Sequence, residues 1–159
     1  RNPRITYPEK GIDIGECKGH VRLDRVSFSY PARSDIKTLD GLSIDIPPGK
    51  RIALVGPSGA GKSTVAALIQ RFYDPTSGVV TIDGFDLATF DPQFLQRTIA
   101  VVNQEPTLFN TTIAENITFG MNNNFGGTGE AQSEPIEEAA KSANAHDFIV
   151  NLPEGYATV

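Results

Sequence analysis

A single cysteine, Cys17, occurs among the 159 residues, so an internal disulfide is excluded, and no paired Cys-His spacing suggests a zinc site. Cys17 reads as an incidental thiol in a reducing compartment. No stretch approaches the roughly 18 apolar residues of a membrane span. Basic residues are also scarce: 14 Lys and Arg stand against 19 Asp and Glu, a formal charge of −5. That balance argues against a nucleic-acid partner held by a broad basic surface, and an anionic ligand would need local donors. No secretory leader pattern follows Arg1, the first residue, and the expectation is a piece of a longer polypeptide. No internal repeat is visible. What remains is 39% apolar composition, ordinary for one domain with a sizeable core.

Against that background one segment carries most of the information: Gly56-Pro57-Ser58-Gly59-Ala60-Gly61-Lys62-Ser63-Thr64. It is a full phosphate-binding loop of the Walker A pattern. Before it, Ile52, Ala53, Leu54 and Val55 form a continuous apolar run, which predicts a strand buried on both faces of a parallel sheet. After it, Val65, Leu68, Ile69 and Phe72 recur at i, i+3, i+4 and i+7, the face of a packed helix. Glycines let the backbone turn tightly and wrap N–H groups around phosphates, and the helix start near Lys62 adds the positive end of its dipole. Lys62 would reach the β- and γ-phosphates, Ser63 would offer its hydroxyl to Mg²⁺, and Thr64 would assist at the same helix end.

Around the loop, residues 1–19 read as a linker or arm rich in Pro, Gly and charge. Val21 and Leu23 alternate, then Val26, Phe28 and Tyr30 alternate one residue out of phase, which predicts a strand with a bulge near Asp24-Arg25. Leu42, Ile44 and Ile46 predict a second strand. Val80 and Ile82 predict a third, ending at the Asp83-Gly84 turn, so the sheet is expected to be mixed and partly antiparallel. Asp91 and Pro92 open a short helix to about Arg97, and Ile99–Val102 is expected to be another buried strand. Thr112 and Glu115 form a capping-box pair for a helix through about Phe119. A further helix would carry Ile136, Ala139, Ala140 and Ala143 on one face, and Met121–Ser133 reads as a flexible surface insertion.

Tyr30, the 56–64 loop, the Ser77-Gly78-Val79-Val80-Thr81-Ile82-Asp83-Gly84 segment and Gln104 together resemble the nucleotide-binding domain of ATP-binding-cassette (ABC) transporters. Phe28-Ser29-Tyr30-Pro31, Gln104-Glu105-Pro106-Thr107-Leu108-Phe109 and Ile113-Ala114-Glu115-Asn116-Ile117 are similar to the multidrug and peptide exporter branch. The likeness runs from about residue 20 to Val159, as the N-terminal part of such a domain, with about 121–133 outside it. It implies an α/β fold: a P-loop NTPase (RecA-like) core, an antiparallel β subdomain and the start of a helical subdomain, truncated. It also implies ATP and Mg²⁺ as cofactors. By position, Tyr30 matches the aromatic that stacks on adenine, and Gln104 matches the glutamine that touches Mg²⁺ and the attacking water. Lys62 and Gln104 are then the catalytic candidates. The implied partners are the transmembrane domain of the same transporter, whose coupling helix meets the Gln104 loop, and a second nucleotide-binding domain in a head-to-tail dimer. Residues 106–109 should lie near the membrane-domain interface, and the domain should stand on the cytoplasmic or organelle-interior face of a membrane. Read without the family, Tyr30 is a strand-end tyrosine packed on the core and Gln104 an ordinary loop glutamine.

The family completes its site with a Leu-Ser-Gly-Gly-Gln signature, an apolar strand ending in Asp-Glu and a switch histidine. None occurs in these residues. Val79-Val80-Thr81-Ile82-Asp83 imitates the strand, but Gly84 stands where the general base belongs; Gly126-Gly127 lies in low-complexity sequence, and His20 and His146 read as surface or capping residues. The expectation is a chain that binds nucleotide but hydrolyses little alone. The alternative is a non-hydrolysing regulatory or interaction module. A GTPase or small-molecule kinase is disfavoured, because neither Asn-Lys-x-Asp nor Asp-x-x-Gly occurs.

Overall fold

A computed structural model describes residues 5–103, 105, 107–119 and 133–159. The insertion at 121–132, Gln104 and Pro106 lie outside the described residues. The chain divides into two compact units, Arg1–Ala100 and Val101–Val159.

The first unit is built on a four-stranded antiparallel sheet in the order β2-β1-β3-β4. The strands are β1 (Val21–Phe28), β2 (Leu39–Ile46), β3 (Ser77–Ile82) and β4 (Phe85–Asp86). The expected bulge is present: pairing with β2 shifts between Leu23 and Val26, pairing with β3 shifts between Asp24 and Ser27, and Arg25 has φ 46°. Its consequence is a change of phase, which turns Leu23, Val26 and Phe28 all into the core. The Asp83-Gly84 turn joins β3 to β4 with both residues at positive φ, 50° and 86°, the geometry of a tight hairpin turn.

Helix α1 (Lys62–Ile69) packs Val65 and Leu68 against this sheet. It ends differently from the periodicity. The Phe72 N–H donates to the Ala67 carbonyl and the Arg71 N–H to the Leu68 carbonyl, with Arg71 at φ 54°. This is a Schellman termination with arginine in the left-handed place usually taken by glycine. The chain therefore leaves the helical path before Phe72, which is 64% exposed and not part of the packed face. Helix α2 (Pro92–Thr98) begins as expected, with the Asp91 carboxylate accepting from the Gln93 and Phe94 amides at 2.8 and 3.2 Å. Phe94 from α2 stacks on Phe90, with ring centres 5.1 Å apart and both rings fully buried.

Residues 11–20 are fastened to this unit. The Ile12 amide donates to Thr89 O and its carbonyl accepts from Asp91 N, while Arg97 pairs with Asp13. The Asp83 carboxylate accepts the amides of Lys18 at 2.7 Å and His20 at 2.8 Å. Partial burial pushes the Asp83 carboxyl up, but the His20 and Lys18 amides, the Cys17 thiol and the Gly19 amide outweigh it and hold the group below its ordinary value.

Two expected strands do not form: residues 51–55 and 99–102 have no ladder partners among the described residues. A parallel strand is defined by hydrogen-bonded neighbours on its flanks, and none of β1–β4 pairs with either run. Most apolar side chains there are exposed: Val55 is 92% and Val102 99% exposed, with Ile52, Leu54 and Val101 also exposed, while Ile99 is half-buried against the core.

In the second unit, α3 (Ile113–Thr118) carries the expected capping box: Thr112 Oγ1 accepts from Glu115 N at 3.2 Å and Glu115 Oε2 from Thr112 N at 2.9 Å. Asn116 ties the preceding loop to this helix, accepting from Phe109 N and donating to the carbonyls of Phe109 and Thr112. Helix α4 (Ser133–Ser142) starts at the last residue of the expected insertion. Its inner face is narrower than the sequence suggests, because Ala140 is buried and Ile136 half-buried while Ala139 and Ala143 are exposed. Small side chains cost little when solvated, so they register a helix face poorly. Helix α5 (His146–Val150) is linked to the 3-10 turn Gly155–Ala157 through His146 Nδ1 and the Tyr156 hydroxyl, 2.9 Å apart.

Candidate functional site

The loop at 56–61 reaches α1 through Gly61, which is the helix N-cap at φ 85°. A Cβ there would stand 2.6 Å from Leu39 Cδ2 and 3.1 Å from Thr38 O, so the left-handed backbone favours glycine and a larger residue would also have to push the Leu39 side chain aside. Gly59 takes φ 81° in open space, where only the backbone path requires it. The Ala60 amide closes the turn onto Pro57 O at 3.2 Å. Lys62 bends its ammonium back along the loop, donating to Gly56 O and Pro57 O at 2.8 Å each. Its positive charge is thereby held at the mouth of a turn whose next elements are the free amides of the helix start.

Tyr30, Thr38, Ser58, Gly59, Gly61, Lys62, Ser63 and Thr64 line one concavity of about 350 Å³. Of the expected site residues, the structure thus brings Tyr30 together with the phosphate-loop residues, although they lie some thirty positions apart. Ser63 is exposed and its neighbour Thr64 only 2% exposed. The two hydroxyls at the helix start therefore serve different surroundings: Ser63 faces outward, and Thr64 Oγ1 shares a hydrogen bond of 3.0 Å with the Tyr30 phenol. The Tyr30 ring is wedged edge-to-face between Phe28 and Tyr73, at centroid distances of 5.0 and 5.3 Å. Thr38 was not signalled by any motif; it enters because its amide donates to Phe28 O at 2.8 Å, which closes the 31–37 turn and returns the chain to the concavity beside Tyr30. Gln104 falls outside the described residues, so its placement adds nothing to this site.

Lysine and the free amides of the helix start after Gly61 are donors suited to a polyphosphate, the outward Ser63 hydroxyl offers an oxygen to a hard cation, and no cluster of His, Cys, Asp or Glu that could hold a metal alone occurs among the described residues. A hard cation here would need phosphate oxygens beside the Ser63 hydroxyl, since the described residues bring no carboxylate to it.

Fold and loop define a P-loop nucleotide-binding domain. The family model described as ABC transporter matches residues 39–157, and the chain belongs to that family. It is 50% identical over 149 residues to the mitochondrial potassium channel ATP-binding subunit of Rattus norvegicus, covering 93% of this chain and 20% of the relative. It is 49% identical to ABC transporter B family member 1 of Arabidopsis thaliana, covering 94% of this chain and 11% of the relative. A solved bacterial Atm1-family ABC exporter with ATP bound superimposes with a TM-score of 0.77 at 41% identity, covering 93% of this chain and 24% of that one. The chain therefore spans no more than about a fifth of the curated relatives described here. The P-loop NTPase fold class and the exporter branch expected from the motifs agree with these matches. No described helix is long and apolar enough to cross a membrane.

Proposed function

We propose that this chain is the ATP-binding portion of the motor domain of an ABC exporter, coupling ATP binding and hydrolysis to transport across a membrane. The observation that carries it is the loop itself: Gly61 in a left-handed conformation against Leu39 and Thr38, with the Lys62 ammonium turned onto the loop that leads into α1. The loop amides and Lys62 hold the β- and γ-phosphates, Tyr30 stacks on the adenine, and Ser63 with Gln104 ligates Mg²⁺. Mg²⁺, when bound, neutralises charge that develops on the phosphate oxygens. Phosphoryl transfer depends on positioning and electrostatic stabilisation, and a general-base carboxylate and the signature motif are missing from these 159 residues. A polypeptide of this sequence therefore holds Mg-ATP and turns it over little.

Partners follow from the family and from the exposed face of the second unit. Phe109 stacks on Phe119 with ring centres 3.8 Å apart, yet the rings are 48% and 64% exposed, and Leu108 is 75% exposed. Such an aromatic ridge suits contact with the transmembrane domain, as the resemblance leads one to expect for residues 106–109. A second nucleotide-binding domain, head to tail, would complete the catalytic site, on the cytoplasmic or organelle-interior face of the membrane.

Titration calorimetry with Mg-ATP tests the reading. Saturable binding is expected, weakened at least about tenfold by Lys62→Ala, since a charge-assisted contact contributes roughly 1.5–3 kcal/mol. Absence of binding by the wild type would refute it. The alternative, a regulatory module without hydrolysis, predicts the same binding but no turnover in the intact protein.

A further inference from the structure

The bond between Tyr30 and Thr64 joins two parts of the site that chemistry treats separately. Tyr30 lies beyond the end of β1, on a turn held by Arg33 N donating to Tyr30 O and by Thr38 N donating to Phe28 O. Its position is therefore not set by a sheet ladder. Thr64 is in the first turn of α1, directly behind the phosphate loop, and is buried. A threonine in a helix ordinarily satisfies its hydroxyl on a carbonyl one turn back. Here Oγ1 meets the Tyr30 phenol at 3.0 Å. Phe28 and Tyr73 meet the ring edge-to-face, and aromatic contacts of this kind tolerate a range of offsets, so they do not by themselves fix the ring. A hydrogen bond does not tolerate such a slide.

We propose that Thr64 is a positioning residue: its hydroxyl fixes the Tyr30 ring at the wall of the concavity, so that the base platform and the phosphate loop move as one body. This rests on the ATP-binding reading above. It goes further by giving Thr64 a task directed at the base, beside the assistance at the phosphate end of the helix that its place in the loop implies, and by giving the phenol oxygen of Tyr30 a task distinct from stacking. The hydrogen bond thus matters to a ligand that has a base, and is indifferent to one that is phosphate alone.

The test uses the intact protein and measures binding of AMP-PNP and of inorganic tripolyphosphate, each with Mg²⁺, by calorimetry. Tyr30→Phe removes one oxygen and keeps every ring contact, so it is expected to fold. Its affinity for AMP-PNP is expected to fall about threefold to tenfold, the loss that one net hydrogen bond brings, while tripolyphosphate binding stays as in the wild type. Thr64→Val is expected to weaken AMP-PNP binding similarly, and the double variant to be no weaker than the worse single one. Unchanged AMP-PNP affinity in Tyr30→Phe would overturn the inference, as would additive losses or an equal loss for tripolyphosphate. A wild type that binds neither ligand would instead sink the nucleotide-binding reading, so the two failures are distinguishable.

Discussion

Arg71 carries its guanidinium 4.5 Å from the centre of the Tyr7 ring. The same group donates to Thr6 O at 3.0 Å and to Asp74 Oδ1 at 3.1 Å, while the residue itself is 3% exposed and left-handed. A buried cation on a disfavoured backbone persists only where several partners hold it. Arg71 thus clips the arm to the C-terminal end of the helix that starts at the phosphate loop.

Replacing Arg71 by Ala should destabilise the protein by about 2 kcal/mol, from the lost hydrogen bond, ion pair and cation–π contact. Urea unfolding measures it. Protease cleavage within residues 5–10 should also become faster, and a stability within about 0.5 kcal/mol of wild type, the range of a neutral surface change, would show that the clip is idle.

Gly61→Ala meets both a positive φ and the Leu39 side chain. Nucleotide binding should be lost, with stability lower by roughly 1–3 kcal/mol from the strained conformation. Wild-type affinity in this variant would mean that the loop path differs from the one described.

Asp83 gives a pH signature. Its folded carboxyl titrates below the ordinary value of about 3.9. The sign follows: a depressed acid contributes stability that is fully present above its unfolded pKa and is lost as pH falls through the folded one. Asp83→Asn, which tolerates the positive φ of the hairpin turn, should flatten the stability profile below about pH 4. Melting temperatures across that range decide it; an unaltered acid limb would dissociate Asp83 from the docking of residues 18–20.

Cys17 should react sluggishly. Partial burial, and the Asp83 carboxylate beside it, push the thiol up, so little thiolate forms near neutrality. Alkylation at pH 8 should be slower than for a free thiol, and faster in Asp83→Asn.

Phe109→Ala removes half of the exposed aromatic ridge. In the intact protein, ATP affinity should hold while transport falls, because the ridge is proposed to meet the membrane domain and not the nucleotide. Parallel binding and transport assays separate the two, and unaltered transport would free Phe109 of that role.

Local chemistry was readable residue by residue. The capping pair Thr112 and Glu115, the Asp91 cap, the Asp83-Gly84 hairpin turn and the β1 bulge all depend on neighbours within a few positions, so their patterns survive in one dimension. Periodicity misled where a single residue broke it: Arg71 ends α1 in a conformation that glycine usually announces, and Phe72 leaves the helix face as a result. It misled again at 51–55 and 99–102, since an apolar run states that a strand wants burial and says nothing of which neighbours pair with it.

The phosphate loop, its family and its glycines follow from the order of residues alone, because a tight bend before a helix is set by short-range backbone geometry. The meeting of Tyr30 with Thr64, of Arg71 with Tyr7 and of Asp83 with the amides of 18–20 does not. Those contacts span 34 to 65 positions, and they exist because the sheet order β2-β1-β3-β4 and the packing of α1 on it bring distant segments within hydrogen-bonding distance.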